Sequence, residues 1–218
     1  QPQSPLFGIL FPELRNLIFT HVLRVQHDLS HPHSRYTHYY RPGVDYARKI
    51  ETNLLLTCRQ IYLETHLAPI SLNSHVFWKH SSHGPQGVKT PPSDYNAYLS
   101  KMTLQQRAAV QRVHFFTHMP WLERRRAQEW LPGLSGFSLT ITIRHSNWSF
   151  WDQLQREPLR IHPPTEWGAW IGSMPRIQEL VLEFETFDEE KEELEECVLV
   201  ARKWRFPLEG GGELVHAG

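Results

Sequence analysis

The sequence predicts an α/β fold, with α+β as the alternative, and three features carry that expectation. Residues 112–118, 137–145 and 178–186 alternate apolar and polar side chains as strands do. Each segment follows sequence patterned as a helix, over 95–107, 120–131 and 165–174. Strand after helix after strand favours parallel pairing through crossovers, so the sheet is expected to be partly parallel. The third feature is size: 218 residues, 40% hydrophobic and 12% aromatic, suffice for a continuous core, and one globular unit is the simplest reading.

From the N-terminus, Pro12 followed by Glu13 suits a helix start, because proline loses no hydrogen bond there and an acid complements the dipole. The helix is expected over 12–25. Leu14, Leu17, Ile18, His21, Val22 and Val25 share one side, read as the core face, while Phe19 and Leu23 project from the other. With Leu6, Phe7, Ile9 and Leu10 upstream, the segment carries more apolar surface than one side can bury. Another part of the chain or a partner must cover the second stripe. Residues 26–49 read as a loop. A second helical motif over 54–65 has a core stripe of Leu54, Leu55, Cys58, Ile61, Tyr62, Thr65 and Ala68, with Leu56, Leu63 and Leu67 on the far side. Such a helix packs between layers, here the first helix and the rest of the fold. "NSHVFW", 73–78, reads as a strand, and the Gly-, Pro- and Ser-rich stretch 79–94 as a break, giving segments 1–78 and 95–218.

In the second segment the expected inward faces are Val113, Phe115 and Thr117, then Leu139, Ile141 and Ile143, then Leu180, Leu182 and Phe184. Uneven strand spacing and the lack of an asparagine ladder fit an irregular leucine-rich-like sheet or a compact α/β domain equally. A last helix starts near Asp188, with Leu194, Cys197, Val198, Ala201 and Trp204 as its core stripe, Arg202, Lys203 and Arg205 at its end, and Pro207 beyond. Its acidic run, 188–196, reads as a solvated face complementing the dipole, or as an acidic docking surface. Residues 213–216 suggest a short final edge strand.

Composition narrows the functional classes. Lys plus Arg equals Asp plus Glu at 23 each, so no global field draws the chain onto nucleic acid or an anionic membrane. A nucleic-acid-binding alternative rests on Arg124, Arg125 and Arg126 beside Trp121, Trp130, Trp148, Phe150 and Trp151. Cys58 and Cys197 sit in apolar helical patterns and read as small hydrophobes in a reducing compartment. No apolar run is long enough to span a membrane and the start lacks a signal-peptide layout, so a cytoplasmic or nuclear setting is expected. Among 14 histidines, His27, His31, His33 and His38 gather in one stretch, without the cysteine pair or acid cluster that would complete a metal set. Phosphate-loop, dinucleotide, nucleophile-elbow and His-Glu-x-x-His motifs are absent. The expectation is a non-enzymatic protein with no cofactor and no metal.

"LFPELRNLIFTHVL", 10–23, resembles the first helix of the F-box, a Leu-Pro pair and an acid followed by aliphatics at helical spacing. With "LLLTCRQIYLET", 54–65, and "NSHVFW" in that order, the first third is similar to the F-box-like domain of filamentous fungal proteins. "ARKWRFPL", 201–208, looks like endings in that group. Phe11 replaces the usual leucine, and 26–49 separates motifs that an ordinary F-box keeps close. The resemblance implies F-box-like helices packed on a leucine-rich-like domain, in a substrate-recognition subunit of a cullin-RING ubiquitin ligase. Phe7, Leu10, Phe19 and Leu23 would then contact a Skp-type adaptor, and the later sheet would hold an unknown target protein. The competing reading is a scaffold or assembly subunit whose first helix is internal.

Overall fold

The computed structural model describes residues 4–37, 40, 41, 43–78, 95–123, 134, 136–144, 159–174 and 176–217. Their contacts divide into two compact units, one within Gln1–Ser74 and one beginning at His75.

In the first unit a single turn, α1 (Pro5–Gly8), precedes α2 (Pro12–Leu23), and each opens on a proline. Residues expected to form a loop instead make an antiparallel hairpin, β1 (Gln26–Pro32) with β2 (Tyr46–Lys49). The hairpin has no apolar face. Its first strand is organised by Asp28, whose carboxylate accepts from the Ser30 hydroxyl at 2.5 Å and the Ser30 N–H at 3.2 Å, and meets His31 Nδ1 at 2.9 Å. The Ser30 hydroxyl is the chief reason the Asp28 carboxyl falls to a pKa of about 2. A 3₁₀ turn (Asn53–Leu56) leads into α3 (Arg59–Thr65) and α4 (Ala68–Ser71). Cys58 is the N-cap of α3, its sulfur accepting from the Ile61 N–H at 3.5 Å.

Phe19, Leu23 and Ile61 form the centre of this unit, surrounded by Leu6, Phe7, Leu54, Leu55, Cys58, Ala68 and Leu72. Asn73 locks the assembly. Buried, it accepts from the Val25 N–H at 2.6 Å and donates to the carbonyls of Leu23 at 2.9 Å and Pro69 at 2.8 Å, satisfying the end of α2 and the start of α4 with one side chain.

The second unit is built on a parallel sheet in the order β3 (His75–Trp78), β4 (Arg112–Thr117), β5 (Phe137–Ile143) and β6 (Ile177–Phe184). Because β3 pairs with β4, with His75 opposite Val113, the first expected strand belongs to this sheet and not to the N-terminal segment. The expected inward faces of β4 and β5 are buried; Leu180, Leu182 and Phe184 are half-buried because β6 ends the described sheet. Aromatic rings fill the inner side. Phe115 lies 5.5 Å from Phe77, 5.4 Å from Tyr95 and 5.9 Å from Trp121, centroid to centroid, and Trp121 stands edge-on to Trp170 at 5.7 Å.

The helix expected over 95–107 is two: α5 (Tyr95–Ser100) and α6 (Leu104–Ala108). Thr103 divides them, exchanging hydrogen bonds with Gln106 in a capping box. Then come α7 (Met119–Glu123), α8 (Glu166–Gly172), a 3₁₀ turn (Asp188–Glu190), α9 (Lys191–Ala201), and the short pair β7 (Phe206–Pro207) and β8 (Glu213–Leu214). A Cβ on Gly172 would lie 2.2 Å from the Pro207 carbonyl oxygen, so glycine is what lets α8 end against β7. Among the described residues no helix is long and apolar enough to cross a membrane.

Candidate functional site

The structure exchanges the two sides of α2. Phe19 and Leu23, expected to meet a partner, are 2% and 0% exposed, sealed in the core of their own unit. Phe7 packs against that core, and half-buried Leu10 gives its carbonyl to Arg15 Nη1 at 2.9 Å. All four residues assigned to adaptor contact therefore face inward or are partly covered. The physical reason is where the covering groups stand. α1 brings Leu6 and Phe7, and α3 brings Ile61, to the narrower stripe. Arg15, one turn before Phe19, fixes that rotation: its guanidinium lies 5.3 Å over the Phe7 ring and its Nε 3.7 Å from Glu64.

Consequently the first half of the wider stripe faces out, while Val22 and Val25 are half-buried. Leu14, Leu17 and Ile18 are exposed at helical spacing, Leu17 by 66%, and Phe11, one turn before Leu14, by 73%. On the neighbouring motif Leu56, Tyr62 and Leu63 are exposed as well; Tyr62 stacks on His66 at 5.2 Å and does not join Ile61 and Thr65 in the core. A row of large aliphatic and aromatic side chains along one helix is the composition of a protein interface, not of an active site.

The remaining candidates resolve differently. Arg124, Arg125, Arg126, Trp130, Trp148, Phe150, Trp151 and His38 lie outside the described residues, whereas Trp121 belongs to the aromatic core. His31 is engaged by Asp28, His27 stands edge-on to Tyr46 at 6.3 Å, and burial holds His33 below the usual imidazole range. Among the described residues no group of His, Cys, Asp and Glu is placed to hold a metal ion. Cys197 points its thiol at the Leu159 carbonyl, 3.4 Å away, and burial followed by Glu193 and Glu196 raises its pKa.

A histidine, a hydroxyl and a carboxylate do meet, at a place the sequence reading did not single out. Across β4, β5 and β6, His114 Nε2 lies 2.7 Å from Thr142 Oγ1, which donates to Glu183 Oε2 at 2.5 Å. The hydroxyl has one proton; given to Glu183, it leaves the oxygen to accept, so His114 carries its proton on Nε2. Thr142 is 0% exposed, and no substrate can reach its oxygen. The relay joins strands, as do Ser138 with Glu179 at 2.6 Å and Arg144 with Glu185 at 2.9 Å. The available signal was the hydrophilic residue at every second place of β5, Ser138, Thr140 and Thr142, opposite a β6 side that carries Glu179 and Glu183 with Val181 between them.

Comparison with known proteins returns no matching family model, no matching curated protein and no matching solved structure.

Proposed function

We propose that the first unit is an F-box-like docking module that binds a Skp-type adaptor of a cullin-RING ubiquitin ligase, and that the parallel-sheet unit presents a target protein for ubiquitination. The observation that carries this reading is the exposed row Phe11, Leu14, Leu17 and Ile18, on the very helix whose residues resemble the F-box. The contact residues assigned from the resemblance are replaced by this row, because Phe19 and Leu23 are committed to the core. Binding here needs no reorganisation of the unit, since the anchors already stand out from a helix whose opposite side is packed.

The test is co-expression with the adaptor. The native chain is expected to co-purify with it, and Leu14→Glu with Leu17→Glu to abolish co-purification while leaving the circular dichroism spectrum unchanged. A native chain that never co-purifies, or a folded double variant that still does, overturns the proposal in favour of a scaffold outside the ligase machinery.

A further inference from the structure

The second unit contains a cavity of its own. Its volume is about 270 Å³. One wall is the inner side of β6, Leu180, Leu182 and Phe184, and the rest comes from α9 and the terminal hairpin.

We infer that this cavity binds a medium-chain aliphatic carboxylate. Leu180 to Phe184 is four strand steps, about 13 Å. That stretch of wall and a volume of about 270 Å³ leave room for one small, slender apolar ligand. The volume lies just below the range of sites for drug-sized ligands, roughly 300–1,000 Å³, which argues against nucleotides and other large ligands.

The polar complement is equally restricted. Arg202, at the C-cap of α9, lines the cavity, and among the described residues its side chain has no carboxylate partner. By contrast Arg205, three residues on, is held by Glu213 at 2.5 Å. An exposed guanidinium at the edge of a cavity lined mostly by apolar side chains matches a single carboxylate, which it can receive through two parallel hydrogen bonds. His216 lines the same cavity and offers a second donor.

The experiment is calorimetric titration of the full chain with sodium decanoate below its micelle concentration. Saturable one-to-one binding is expected, weakening about tenfold for each two carbons removed in octanoate and hexanoate. Decanol and the Arg202→Gln variant should each lose about tenfold or more. Val215→Trp, at an exposed lining residue of the cavity, should abolish binding without affecting folding, and Ala201→Phe, on α9, should do the same. Absence of saturable binding overturns the assignment, as does equal affinity for decanol or undiminished affinity in both folded filling variants. Because these residues lie far along the chain from Leu14 and Leu17, failure here leaves adaptor binding unaffected and the two outcomes remain separable.

Discussion

The inner sides of α2 and β5 are sealed alike, Phe19 and Leu23 in one unit and Leu139, Ile141 and Ile143 in the other, but their outer sides differ in kind. Outside β5, side chains answer one another: Ser138 with Glu179, Thr142 with His114 and Glu183, Arg144 with Glu185. Outside α2, Leu14, Leu17 and Ile18 have nothing to satisfy and are exposed to water. A polar surface completes itself with directional bonds inside the fold; an aliphatic surface is completed by being covered. That contrast is why the second side of the sheet reads as structure and the second side of the helix as an interface.

The largest expected effect sharpens the two sides of α2. Phe19→Ala should destabilise its unit by roughly 3–5 kcal/mol, through lost burial and the cavity left behind. Leu17→Ala, only two residues away, should change stability by less than about 0.5 kcal/mol. Urea denaturation followed by backbone amide signals of the first unit separates them; similar losses for both would mean that the outer row is structural.

On the sheet, Thr142→Val keeps the shape and deletes the hydroxyl that links His114 to Glu183. Removing a fully buried hydroxyl that bonds both the His114 imidazole and the Glu183 carboxylate should cost about 1–3 kcal/mol, read as a lowered Tm. A neutral result would place the outer polar row on a par with the exposed one.

The smallest effect belongs to the hairpin. The Asp28 carboxyl should titrate near pH 2 by NMR, and Ser30→Ala should raise that midpoint toward the ordinary carboxylate value. A folded pKa below the unfolded one means that the ionised carboxylate supports the hairpin above about pH 4 and that this support fades as pH falls through about 2. A midpoint near 4 in the native chain would contradict the Ser30 geometry.

Much of the second unit was legible because a strand offers a choice of two sides. In "FSLTITI" one side is apolar and the other hydroxylic, and period-two alternation picked out the buried side, although Thr142 on the other side is buried too. α2 offered no such decision: both stripes are apolar, and counting favoured the wider one. What decided was the position of Leu6, Phe7 and Ile61, a tertiary fact that helical periodicity does not contain. The hairpin was invisible for the opposite reason, since "QHDLSHP" has no alternating apolar face and is held by its ladder and by Asp28. Thr103 and Gln106 carried a readable capping signal, which divides the segment expected to be one helix. The cavity was unreadable in advance because its walls come from β6, α9 and β8, whose approach depends on chain geometry rather than on any motif.

Gly172 gives that geometry a further meaning. Where any other residue has a carbon, this one has a hydrogen, and the Pro207 carbonyl occupies the space. Phe206 and Leu214, partners in the same terminal hairpin, are cavity walls. A single added methyl at 172 would thus press on the terminal hairpin that supplies two of the chamber's walls, from a residue that is not itself one of them.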